Sequence, residues 1–137
     1  MKLDFNVKCS QRNNIVDAKI SVSQTEDGWK LLEYCDNTEN WSNKGPHLFK
    51  SFCDLRIYLQ HREKLLLCKG CRRDVYPAGF QLRWIHALLL VKGKAPDPVN
   101  DAVVVFDEEL DVNQIVSVEE QEQFYREWWK SVTGKAI

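Results

Sequence analysis

No stretch of this 137-residue chain is apolar for long enough to span a membrane as a helix. The longest apolar run, Ile85 to Val91, is interrupted by His86 and falls far short of the roughly 20 residues a spanning helix needs. The opening residues Met1-Lys2-Leu3-Asp4-Phe5-Asn6 lack the apolar stretch of a signal peptide, so a cytoplasmic setting is expected. Histidine is scarce: His47, His61 and His86 stand far apart and form no HxxxH pair. There is no glycine-rich phosphate loop, no HExxH and no Ser/His/Asp nucleophile signature, so no catalytic residue is expected. Internal repeats and low-complexity tracts are also missing.

The five cysteines, Cys9, Cys35, Cys53, Cys68 and Cys71, are odd in number, and free thiols in a reducing compartment are the simpler reading. Cys68-Lys69-Gly70-Cys71 is a CxxC. Two thiolates at that spacing can face one zinc ion, but a second CxxC is missing, and Cys53 with His61 is a poor substitute. A redox dithiol needs a helix N-terminus behind the first cysteine, and Pro77 and Gly79 interrupt such a helix early. Neither metal nor cofactor is therefore expected. A small redox or zinc protein remains the alternative from the enzyme class.

Length suits a single domain over residues 1–137, and the 44% apolar content can fill a core. Charge is balanced in sum at −1 but not along the chain. Lys44 to Lys94 holds eleven basic residues against three acidic ones. Ala95 to Tyr125 holds nine acidic residues and neither Lys nor Arg. Basic residues around Arg62, Lys64, Lys69, Arg72 and Arg73 lie near Tyr76 and Phe80, which admits a nucleic-acid-binding module as a further alternative.

The first third alternates with the period of half-buried strands. Leu3, Phe5 and Val7 form one apolar face, and Ala18, Ile20 and Val22 another, with a turn at 11–14 between them. Asp27-Gly28 marks a hairpin leading to a returning strand over 29–35. Asp36 to Gly45 is polar and reads as a loop holding a lone Trp41. Pro46 opens a helix in which Leu48, Phe52, Leu55 and Leu59 form the stripe and Arg56 lies off it, ending near Arg62. Short strands are expected at 65–68 and 103–106, 82–91 reads as a strand in preference to a buried helix, and 93–100 as a loop. Ser117-Val118-Glu119-Glu120 is a capping box, and Gly134 a stop, for a helix with apolar Val118, Tyr125, Trp128, Trp129 and Val132. The fold class expected is α+β: an antiparallel sheet of about five or more strands packed with two main helices.

The segment Leu67-Cys68-Lys69-Gly70-Cys71-Arg72-Arg73-Asp74-Val75-Tyr76-Pro77-Ala78-Gly79, followed by Phe106-Asp107 and the Glu- and Trp-containing helix from Ser117, resembles a pattern in small bacterial proteins. These look like immunity proteins encoded beside polymorphic toxins, of the Rhs and contact-dependent growth inhibition type. The resemblance covers about the second half of the chain. It implies a protein that acts by binding and neutralising the toxic C-terminal domain of a cognate effector, often a nuclease, without catalytic residues of its own. Such a partner carries a cationic working surface, so Asp107, Glu108, Glu109 and Asp111 are expected at the rim or centre of the interface, with Trp41 as an exposed aromatic anchor elsewhere. Gly70, Arg72, Asp74, Tyr76 and Pro77 are expected to fix a structural turn.

Overall fold

The alternating N-terminal third folds into a meander. In the computed structural model, which describes residues 2–78 and 84–137, β1 (Lys2–Gln11), β2 (Asn14–Gln24), β3 (Lys30–Cys35) and β4 (Asn40–Gly45) pair antiparallel in sequence order. β5 (Lys64–Leu66) adds to the far side of β1, giving the order β4-β3-β2-β1-β5. Between Gln11 and Asn14 the turn residues Arg12 and Asn13 both have positive φ, the geometry that matches the twist of a tight hairpin.

Period-2 alternation sends Val7, Ala18, Ile20, Val22, Leu32 and Tyr34 to one face. Onto that face packs α1 (Leu48–Gln60), through Leu48, Phe52, Leu55 and Leu59, as its stripe requires. Phe106 closes the core, with its ring 4.9 Å from Phe5 and 5.3 Å, edge-on, from Phe52.

A second, three-stranded antiparallel sheet joins β6 (Val75–Tyr76), β7 (His86–Leu89) and β8 (Ala102–Val104). α2 (Val118–Thr133) lies against it, with Trp128 packed on Leu88 and Leu90 and its indole N–H donating to the Lys94 carbonyl at 3.1 Å. The α+β class and the antiparallel sheet agree with expectation, and the division into two sheets is the addition.

Three local expectations change. The polar segment 36–45 is not all loop, since residues 40–45 form β4. The strand is held by its turn, where the Asp36 carboxylate accepts the Thr38 and Glu39 N–H groups at 2.8 and 2.7 Å. It is held also by contacts to α1, where Asn43 donates to Asp54 at 3.1 Å and Trp41 meets Tyr58 at 6.1 Å. Arg56, although off the apolar stripe, is buried, because the chain entering α2 covers that side of α1. The capping box is half made. Glu120 N–H donates to the Ser117 hydroxyl at 3.1 Å, but the Glu120 carboxylate accepts a hydrogen bond from that hydroxyl at 3.3 Å instead of returning to the backbone. Of the strand expected over 82–91, positions 86–89 are β7; Leu82, with Gly79 of the motif and Phe80 beside it, lies outside the described residues.

Candidate partner-binding surface

The segment after β5 is shaped by close approach. Gly70 N–H donates to the Val105 carbonyl at 2.8 Å, and a Cβ there would collide with Val105 Cγ1 and lie 2.9 Å from Phe52 Cε2. Only hydrogen fits between α1 and the strand leading to Phe106. Gln121 of α2, with no exposed surface, donates to the Gly70 and Arg72 carbonyls, each at 2.8 Å. Its side-chain oxygen accepts from Arg56 at 2.6 Å, and Arg56 also donates to the Val116 carbonyl at 2.9 Å. A buried cation is thus satisfied by neutral oxygens that tie α1, the turn and α2 together.

The rest of the turn is equally committed. Arg72 makes a forked pair with Asp74 at 2.9 and 3.1 Å. Asp74 contributes its carbonyl to Leu90 N–H at 2.7 Å. Tyr76 stacks on Tyr125 at 4.2 Å, and Pro77 is buried. Gly70, Arg72, Asp74, Tyr76 and Pro77 are thus each engaged in contacts within the fold.

Cys68 and Cys71 lie within the same packing. Their thiols are buried, and desolvation pushes both pKa values up, Cys68 well above the ordinary thiol range. Desolvation likewise raises Cys53, to about 11, and Cys9. A nucleophilic dithiol needs the opposite shift. The short 3₁₀ turn Lys69–Cys71 puts no long helix behind the pair. Among the described residues, no group of three His, Cys, Asp or Glu side chains is arranged to hold a metal ion.

The acidic segment runs alongside this turn. Lys69 N–H donates to the Asp107 carbonyl at 2.8 Å, and Glu109 N–H to the Leu67 carbonyl at 3.0 Å. Glu109 points inward and is 6% exposed. One of its oxygens accepts from Arg72 at 2.9 Å, with Lys69 3.6 Å away; the other accepts the Asp111 N–H at 2.9 Å. Desolvation opposes its charge, but the Asp111 N–H and the guanidinium outweigh it and hold the carboxyl below its usual range. Glu109 is thus an anchor, and its expected place at an interface is corrected.

Its neighbours are presented to solvent. Asp107, Glu108 and Asp111 are exposed, and among the described residues none forms an ion pair. Between and beside them, Leu110 is 83% and Val112 58% exposed. The Asp111 carboxylate accepts the Asn113 N–H at 3.1 Å and begins the 3₁₀ turn Val112–Gln114. The result is a braced projection, acidic and apolar together. Leu110 and Val112 escaped the sequence reading because only their flanking charges were weighed; two apolar residues in a non-helical acidic run were the available signal.

Trp41 does not join this surface. It sits on β4, half-buried against Tyr58 and the edge of the core, so it is not a fully exposed side chain. Among the described residues, no helix is long and apolar enough to cross a membrane. No protein-family model matches the chain, and a search of curated proteins finds no match.

Proposed function

We propose that this protein works by binding a cationic surface of another protein, and that the partner is the toxic domain of a delivered effector, so that the chain serves as an immunity protein without enzymatic activity. The observation that carries the binding reading is the projection over 107–112. Exposed carboxylates at Asp107, Glu108 and Asp111 share this short segment with exposed Leu110 and Val112, while Glu109 ties it to Arg72. Pinning matters because an ordered segment has less conformational entropy to lose on association. The carboxylates steer a basic partner, and Leu110 and Val112 give apolar area to bury once it arrives. The toxin assignment rests on the resemblance of the Leu67–Gly79 and Ser117–Lys130 segments.

A toxin gene directly upstream is expected, and the test is to look for that gene and co-express the toxin domain it encodes, with binding kinetics on the purified pair. Relief of toxicity and a complex are expected. Asp107→Lys with Glu108→Lys should slow association and flatten its salt dependence, since screening acts over about 10 Å at 0.1 M salt. Failure to protect and failure to bind would reject the proposal.

A further inference from the structure

The free edge of the five-stranded sheet carries a recognition pattern. Among the described residues, β4 has a sheet neighbour, β3, on one side alone. The Asp36 N–H to Glu39 carbonyl bond at 3.0 Å closes the β3–β4 hairpin. Antiparallel ladders alternate from such a closing pair. Trp41 and Asn43 therefore bond Tyr34 and Leu32, while the N–H and C=O groups of Asn40, Ser42 and Lys44 point away from β3. Among the described residues, none of these outward groups has a backbone partner. The edge has no proline, and Lys44 is its one charged residue.

The side chains beside this edge are in register. Asp4 is opposite Ser21, Ser21 opposite Glu33, and Glu33 opposite Ser42, so these four form one cross-strand row. The row lies on the face away from α1, where a shallow hollow of about 370 Å³ opens, lined by Lys2 and Lys19 as well as by Ser21, Glu33, Cys35, Asn40 and Ser42. Asp4 already accepts from Ser21 at 2.6 Å and pairs with Lys19 at 3.8 Å. Lys44 is held by Asp27 at 3.7 Å. Glu33 is exposed and, among the described residues, has no ion-pair partner.

We propose that β4 accepts an extended segment of a partner protein as a sixth strand, and that this segment carries a Lys or Arg opposite Ser42 that reaches across it to Glu33. The proposal rests on the chain being a protein binder but not on the 107–112 projection. Neighbouring strands lie about 4.8 Å apart, so the added residue stands two spacings from Glu33. Ser42 is small enough to leave the path between them open, and long basic and acidic side chains leaning together span it. The exposed backbone groups supply affinity for any strand, and the Glu33 row supplies selection. A second copy of this chain matches less well. Self-pairing about Ser42 sets Ser42 opposite its own counterpart and Lys44 opposite Asn40, which leaves Glu33 without a cation.

The test pans short random peptides, displayed on phage, against the immobilised full-length protein. Enriched peptides should alternate in strand fashion and carry Lys or Arg at one fixed position. Panning on Glu33→Lys should switch that position to Asp or Glu. Ser42→Pro removes an outward N–H that β3 does not use, and should weaken the enriched peptides at least about tenfold. Glu33→Lys is exposed and keeps the test valid if the proline disturbs the strand. Asp107→Lys with Glu108→Lys should leave peptide binding unchanged, which separates failure here from failure of the acidic projection. Enrichment without a fixed basic position, binding indifferent to Glu33→Lys, no enrichment, or a dimer in sedimentation that Ser42→Pro dissolves would each overturn the proposal.

Discussion

Glu109 and Arg72 are 37 residues apart in the chain and meet at 2.9 Å, joining the acidic segment to the turn that precedes β6. Adjacent carboxylates thereby acquire opposite duties, with Glu108 facing water and Glu109 holding the segment down. Glu109→Ala should cost about 1.5–3 kcal/mol, the range for a hydrogen bond to a charged group. Glu108→Ala should leave stability nearly unchanged. Chemical denaturation of the two variants checks this, and equal losses would contradict the assignment.

Gly70 is required for space. Its φ lies outside the left-handed region, but an added Cβ meets Val105 and Phe52 in the middle of the core. Gly70→Ala is expected to destabilise the protein by about 1–3 kcal/mol, as overpacking does. Combining it with Val105→Ala should recover part of that loss, which thermal melts of the single and double variants can measure.

Lys64 and Asp36 form a buried ion pair at 2.9 Å, with side chains 1% and 0% exposed. Desolvation works against the Asp36 charge, but Lys64, the Tyr34 hydroxyl and the Thr38 and Glu39 N–H groups outweigh it and hold the carboxyl far below the usual range. A depressed carboxyl stabilises the fold fully above its unfolded value of about 3.9, and the contribution is lost as pH falls toward the folded value. Asp36→Asn should flatten the loss of melting temperature below about pH 4. Lys64→Met leaves a buried carboxylate alone and should cost about 3–5 kcal/mol at neutral pH.

Thiol chemistry separates the cysteines. Cys35 is exposed on β3, whereas Cys9, Cys53, Cys68 and Cys71 are buried. A disulfide reagent should label one thiol quickly in the native protein and the other four on unfolding. Fast native labelling of Cys68 or Cys71 would favour the redox reading of the CxxC.

What the sequence determined by itself was the local grammar. Alternation at Leu3–Val7 and Ala18–Val22, the 48-52-55-59 stripe and the Ser117 cap specify strands and helices, because each depends on residues within a few positions of one another. Tertiary structure decided the rest. Trp41 became a strand residue because α1 offers Tyr58 beside it, and Arg56 became buried because Val116 and Gln121 arrive from sixty or more residues away. Glu109 and Glu108 cannot be told apart by residue type or neighbourhood. Their roles differ because pairing with the Leu67 carbonyl turns one side chain toward Arg72 and the next toward solvent, and that pairing exists only once the chain has folded.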